Sequence, residues 1–229
     1  MLEVINVYKS YTGKGIVTPV LKGVSLHVGK GEFVSLTGRS GSGKSTLLNV
    51  VSSLLEPDKG KVIFCGEELG EMKESRLNRF RRKEASMIFQ FHHLMPYMNA
   101  YENVMLPFLN SMLPAGKSER NRASEALEKV GLSGKEGRLP SQLSGGEQQR
   151  VAIARSIAAG PSILFADEPT GSLDKKNGDA VMDILKNLNS EGLTVVMVTH
   201  QREYAERAER TIEMEDGVII GGEEVATAS

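Results

Sequence analysis

Three short runs in the 229-residue chain carry side chains suited to phosphate chemistry. The first is Gly38-Arg39-Ser40-Gly41-Ser42-Gly43-Lys44-Ser45-Thr46, which fits the spacing GxxxxGK[ST]. Its glycines let the backbone take positive-φ conformations and turn successive N–H groups toward phosphate oxygens. A helix starting at the end of the run adds partial positive charge. The Lys44 ammonium is then expected to reach β- and γ-phosphates, and the Ser45 hydroxyl to ligate Mg2+. The second run, Ser162 to Glu168, is apolar until it ends in Asp167 and Glu168. If it is a strand, both acids emerge at its carboxyl end, where open α/β sheets bind ligands. Asp167 suits a Mg2+ held through water, and Glu168 is a candidate general base for an attacking water. The third run is Leu143-Ser144-Gly145-Gly146-Glu147-Gln148-Gln149-Arg150. A hydroxyl, bare N–H groups and a helix start make it a second phosphate-binding surface. One nucleotide rarely needs two such surfaces from one chain.

Positioning these runs requires alternating strands and helices. Short β-branched stretches predict strands at Glu32 to Thr37, Lys61 to Cys65, Ser86 to Phe89, Ile163 to Asp167 and Thr194 to Thr199. Helical periodicity predicts helices at Lys44 to Leu54, Ser118 to Val130, Glu147 to Ala159 and Asp179 to Leu188. Such alternation implies an α/β fold whose mostly parallel, twisted sheet has helices on both faces. From Gln90 to Leu139 strand signal is nearly absent, and Pro96, Pro107, Pro114 and Gly116 punctuate helical stretches. One domain over 1–229 is expected, with a core at 1–89 and 140–229 and an inserted helical subdomain at about 90–139.

Composition excludes several classes. With 28 Lys and Arg against 29 Asp and Glu, no basic excess points to a nucleic-acid partner. The cluster Arg79, Arg81, Arg82 and Lys83 is read as a solvated helix face. Cys65 stands alone, so a disulfide framework and a thiol metal site are not expected, and a reducing compartment is the simplest reading. Neither a signal peptide nor about 18 consecutive apolar residues is seen, so any service to a membrane goes through docking. The segment from Gly217 to Ser229 is expected to hold no regulatory domain.

The third run closely resembles the signature of ABC ATPases, P-loop proteins in which this loop of one subunit covers the ATP held by the phosphate loop of the other. The resemblance extends over essentially the whole chain, with the motifs in order. It implies an ABC ATPase with an antiparallel N-terminal β region, ATP and Mg2+ as cofactors, and a head-to-tail, ATP-dependent homodimer. Tyr11 resembles the aromatic that stacks on adenine, although Tyr8 competes for that part. Gln90 resembles the glutamine that touches Mg2+ and senses the γ-phosphate. His200 resembles the histidine that contacts the γ-phosphate and supports the attacking water. Ser172-Leu173-Asp174 resembles the loop that crosses the dimer interface. The signature carries Glu147 where many relatives carry Gln, a departure expected to leave the phosphate contacts intact.

The stretch Phe89 to Pro96 looks like that of the ATPase subunits of bacterial lipoprotein-releasing systems, within a group that includes macrolide-efflux and cell-division ABC ATPases. It implies an ATPase on the cytoplasmic face of the inner membrane, bound to integral membrane permease subunits. An aromatic and methionine-rich loop suits an adaptable groove for a partner helix. A chromosome-maintenance ABC ATPase would need a long coiled coil between Gln90 and Ser144, for which too few residues intervene. A kinase or GTPase would have no use for the Ser144 run, and the guanine-specifying Asn/Thr-Lys-x-Asp run is absent.

Overall fold

The computed structural model describes residues 1–13, 15–109 and 116–221. Pro114, one of the expected breakers, lies outside these residues, as does 222–229 of the C-terminal segment. Ten strands run in chain order as β1 (Leu2–Gly13), β2 (Ile16–Val28), β3 (Phe33–Thr37), β4 (Lys59–Phe64), β5 (Glu67–Glu68), β6 (Ala85–Ile88), β7 (Ile163–Asp167), β8 (Thr194–Val198), β9 (Arg210–Glu215) and β10 (Val218–Gly221). The α-helices are α1 (Lys44–Val51), α2 (Glu74–Arg79), α3 (Ala100–Met105), α4 (Lys117–Lys129), α5 (Gly145–Ala158), α6 (Lys175–Ser190) and α7 (Arg202–Ala205).

One sheet is antiparallel, ordered β2-β1-β4-β5, and the other is ordered β10-β9-β3-β8-β7-β6. In the second, β9, β3, β8, β7 and β6 are mutually parallel, and β10 closes the edge antiparallel. The central strands read Val-Ser-Leu, Leu-Phe-Ala and Val-Val-Met and are buried along nearly their whole length, as expected where both faces of a parallel sheet are covered. Period-2 alternation splits their side chains between two cores. Val34, Leu36, Phe165, Val196 and Val198 face the N-terminal sheet and α1, with Leu47 and Leu48 of that helix. Phe33, Ile88, Leu164, Val195 and Met197 face α3, α4, α5 and α6, with Val104, Leu127, Ile153 and Leu185.

Parallel pairing brings the carboxyl ends of β3, β8, β7 and β6 to one edge in that order, and every expected catalytic side chain follows one of those ends. The loop to Lys44 leaves β3, His200 follows β8, Asp167 and Glu168 end β7, and Gln90 follows β6. The helices α3 and α4 lie between β6 and β7 in sequence and pack on α5 in one shared core. The basic run falls on α2 and a π turn, Phe80–Glu84. Its Arg79, Arg81, Arg82 and Lys83 are exposed while Phe80 turns into the core. Cys65 is exposed in the turn after β4. Among the described residues no helix is long and apolar enough to cross a membrane.

Candidate functional site

The loop after β3 wraps the side chain of its own lysine. Lys44 Nζ donates to the carbonyls of Gly38 at 2.9 Å and Arg39 at 2.8 Å, and to Ser42 Oγ at 3.3 Å. Burial pushes this ammonium below its usual range, partly offset by the nearby Glu168 and Asp167 carboxylates. Close packing makes glycine obligatory at the loop's entrance: at Gly38, φ is +138° and a Cβ would stand 2.0 Å from the Met214 carbonyl oxygen. Gly43 is the N-cap of α1, so the helix begins at Lys44 with its first N–H groups facing the loop.

An open cleft of about 380 Å³ lies against this loop, lined by Val20, Ser40, Gly41, Gly43, Lys44, Ser45, Thr46, Glu168 and His200. On its floor Ser45 Oγ donates to Asp167 Oδ1 at 3.0 Å. Burial first, and the Glu168 charge further, push the Asp167 carboxyl above its usual range, while the Ser45 bond works in the opposite sense. A hydroxyl beside a carboxylate is a set of hard oxygen donors of the kind Mg2+ takes, with the remaining positions left to water and substrate phosphates. No group of three or more His, Cys, Asp or Glu able to hold a metal alone occurs among the described residues, so a cation here would depend on phosphate oxygens for its remaining ligands.

Glu168 sits in the left-handed region, φ +49°, a costly conformation for a non-glycine residue. Its N–H donates to Val198 O at 2.9 Å, which fixes the turn. Glu168 Oε1 lies 2.9 Å from His200 Nδ1, and Oε2 is buried without a hydrogen-bond partner. A buried carboxylate oxygen left free is available to accept a proton from a water.

Other expected residues lie outside the cleft lining. Gln90 turns its amide toward Gly171, where a Cβ would come 3.1 Å from Gln90 Nε2. Tyr11, on β1 opposite Thr18, is half exposed near Val20 of the cleft. Tyr8 instead folds over Gly23, where a Cβ would meet its hydroxyl at 2.8 Å.

The Ser144 turn also stands apart from the cleft, with Ser144 and Gly145 exposed. Ser144 caps the N-terminus of α5. Its Oγ accepts from Glu147 N–H at 3.3 Å, and Glu147 Oε2 accepts from Ser144 N–H at 2.7 Å, a reciprocal capping box. The Lys135 ammonium first, and that backbone N–H second, hold the Glu147 carboxyl down to about 2. Gly146 abuts α6, since a Cβ there would fall 2.2 Å from Asn177 Oδ1. Asn177 in turn binds Asp174, which caps α6 through Asn177 N–H at 2.9 Å. The signature turn and the 172–174 loop thus form one packed unit.

A family model described as ABC transporter matches residues 21–171. The chain belongs to the ABC transporter family. It is 50% identical over 202 residues to the lipoprotein-releasing system ATP-binding protein LolD of Aquifex aeolicus, covering 88% of this chain and 90% of that protein. It is 44% identical over 220 residues to the macrolide export ATP-binding/permease protein MacB of Chlorobaculum tepidum, covering 96% of this chain but 34% of that protein. Among solved structures, a dimeric post-hydrolysis state of the ATP-binding cassette MJ0796 bound to ADP and Pi superposes with a TM-score of 0.88, at 40% identity over 100% of both chains. This ABC protein is an ATPase subunit of a transporter, and nucleotide is its cofactor.

Two further side chains join the segments around the site: Gln149, which lies in the third run without a role assigned from the sequence, and Asn177. Gln149, fully buried on α5, donates from Nε2 to Pro169 O at 2.8 Å and Phe89 O at 3.4 Å, and its Oε1 lies 2.6 Å from His92 Nδ1. It joins the signature helix to the loops after β6 and β7. Besides its place in the third run, the signal for Gln149 is a polar residue on a helix face that carries Ala152 and Ile153 inward.

Proposed function

We propose that this ABC ATPase works as a head-to-tail, ATP-dependent homodimer holding two ATP, each with Mg2+, in sites shared between chains. In one chain Gly38 to Thr46 wraps the phosphates, Lys44 turns its ammonium from the loop carbonyls to the β- and γ-oxygens, and Tyr11 stacks on adenine. Ser45, Asp167 and Gln90 would hold Mg2+, with Gln90 moving in from Gly171, and a cation so held would supply charge neutralisation for the phosphates. Glu168 takes the proton of the attacking water while His200 orients Glu168 and contacts the γ-phosphate. The second chain contributes Ser144, Gly145, Gly146 and Glu147 over the γ-phosphate and Asp174 at the interface.

One observation carries this reading: a phosphate loop and Glu168, whose buried Oε2 has no hydrogen-bond partner among the described residues, share one cleft, while the second phosphate-binding turn of the same chain is exposed outside it. A second copy can bring that turn to the cleft. The dimeric state of the ADP- and Pi-bound cassette MJ0796 supports the same arrangement.

The chain is taken to sit on the cytoplasmic face of the inner membrane through integral permease subunits. Phe91 and Tyr97, 68% and 94% exposed, stand beside exposed Met95 in the loop tied to Gln149 through His92, an apolar surface for a partner helix next to the site. Lipoprotein release is the favoured role, resting on likeness to LolD over nearly the full length of both chains. A macrolide-efflux role is the second reading, favoured by the MacB likeness over 96% of this chain. Affinity purification of the chain from its host membranes, followed by identification of the integral membrane protein retained, tests both. Recovery of lipoprotein-releasing permeases supports the first, and recovery of an efflux permease replaces it with the second.

A further inference from the structure

Glu147 puts a full negative charge at the end of α5 that, on the reading above, must face the triphosphate held by another chain. Like charges brought together across an interface oppose association. The structure meets this charge with Lys135, whose ammonium pairs with Glu147 Oε1. Lys135 lies in the turn between α4 and α5, and its backbone is pinned there: its N–H donates to Leu132 O at 3.0 Å and its carbonyl accepts from Arg138 N–H at 3.0 Å. The same turn is hooked to the start of α3 through Tyr101 N–H to Glu136 O and Ala100 N–H to Arg138 O.

Stability alone does not account for the pair. Glu147 is already bonded to Ser144 N–H, and a carboxylate in the first turn of a helix is favoured by the helix dipole. Lys135 is 45% exposed, and an ion pair so open to water adds little to folding. The Gly145 and Gly146 N–H groups at the start of α5, unlike those of Ser144 and Glu147 that the capping box engages, have no intrahelical partners and remain able to bind an anion. A bare Glu147 carboxylate would screen them from any phosphate, and Lys135 cancels it.

We propose that Lys135 is a positioning residue for the reaction in trans, neutralising Glu147 so that the Ser144-Gly145-Gly146 turn can receive the γ-phosphate of ATP bound by a second copy of the chain. The proposal rests on the shared-site reading. It accounts for how an acidic signature keeps its affinity for a polyanion, and it assigns the α4–α5 turn a part in ATP-driven closure.

A double-mutant cycle in a Glu168→Gln background tests it, read as the ATP concentration giving half-maximal dimer on size-exclusion chromatography with Mg2+. Lys135→Met should raise that concentration about tenfold, and Lys135→Arg should restore it. With Glu147→Gln also present, Lys135→Met should change it less than about twofold. Binding of ATP to the isolated monomer, followed with a fluorescent analogue at low protein concentration, should be the same in all variants. Equal weakening by Lys135→Met with and without Glu147 would mean that the lysine only supports the fold, and would overturn the proposal. So would an unchanged half-point in the Glu147 background. If the Glu168→Gln parent binds ATP yet stays monomeric, the shared-site reading itself fails and the role of Lys135 falls with it. A parent that dimerises while the cycle shows no coupling removes the inference alone.

Discussion

Replacing Glu168 by Gln tests the catalytic base by changing very little else. The two side chains have the same shape, and the turn holding residue 168 is fixed by backbone, through its N–H to Val198 O at 2.9 Å. What is lost is the proton affinity of Oε2, a buried atom with no hydrogen-bond partner among the described residues. An amide oxygen cannot accept the proton of an attacking water, and positioned general bases are worth about 10² to 10⁴ in rate. At about 1.4 kcal/mol per decade, the barrier should rise by roughly 3 to 5 kcal/mol. His200 Nδ1, 2.9 Å from Oε1, can still hydrogen-bond the amide oxygen, so the shape of the cleft should survive. The assay is paired: steady-state phosphate release at saturating ATP, and ATP affinity by equilibrium titration. Hydrolysis should fall by at least about a hundredfold with affinity unchanged or tighter. Turnover within threefold of wild type at equal affinity would refute the assignment and send the search for the base elsewhere.

Three other perturbations follow from the geometry. Lys44→Ala removes charge-assisted hydrogen bonds worth about 1.5 to 3 kcal/mol, so ATP affinity should fall roughly ten- to a hundredfold in a titration; unchanged affinity would contradict the loop assignment. Asp167 has its pKa raised in the fold, so its protonated form favours the folded state: that contribution is complete below the unfolded pKa and is lost as pH rises through the folded one. Asp167→Asn should therefore raise the Tm of the nucleotide-free protein at neutral pH, with the gain vanishing in acid, while hydrolysis is lost; a lower Tm at neutral pH would contradict the burial argument. Gln149→Leu strands the Pro169 and Phe89 carbonyls and His92, and calorimetry should show a loss of about 1 to 3 kcal/mol, or a Tm lower by several degrees.

The parallel core and the phosphate loop were legible because both are written locally. The buried runs of β3, β7 and β8 are continuous, and each ends where its chemistry begins, at Thr37, Asp167 and Val198. The helices at Lys117–Lys129 and Lys175–Ser190 kept their expected apolar faces, but their ends moved. Asp174 caps α6 so that it begins at Lys175, four residues ahead of the expected start, and Ser144 caps α5, so side-chain bonds rather than periodicity set both beginnings. The long β1–β2 hairpin was not resolved strand by strand, because register shifts near Val4, Val7 and Lys9 break its alternation. The strand β10 is the edge and β9 its neighbour; only Ile212 and Met214, both on β9, are buried, so neither strand carries a continuous apolar signal. Within the site, the residues on motifs were found, while Gln149, Asn177 and Lys135 act through contacts between segments distant in sequence, which spacing does not record.

The central claim is that each ATP is held between Lys44 of one chain and Ser144 of another, and complementation between two defective chains measures it directly. One chain carries Ser144→Arg, keeping its phosphate loop and blocking its signature. The other carries Lys44→Ala, with the opposite defect. Both also carry Glu168→Gln so that assembly is separated from turnover. Neither homodimer contains an intact site, whereas the heterodimer contains one. Mixing the two with ATP and Mg2+ should produce heterodimer on size-exclusion chromatography beyond what either forms alone. No gain on mixing at any ATP concentration, while the Glu168→Gln parent dimerises normally, would contradict the shared site.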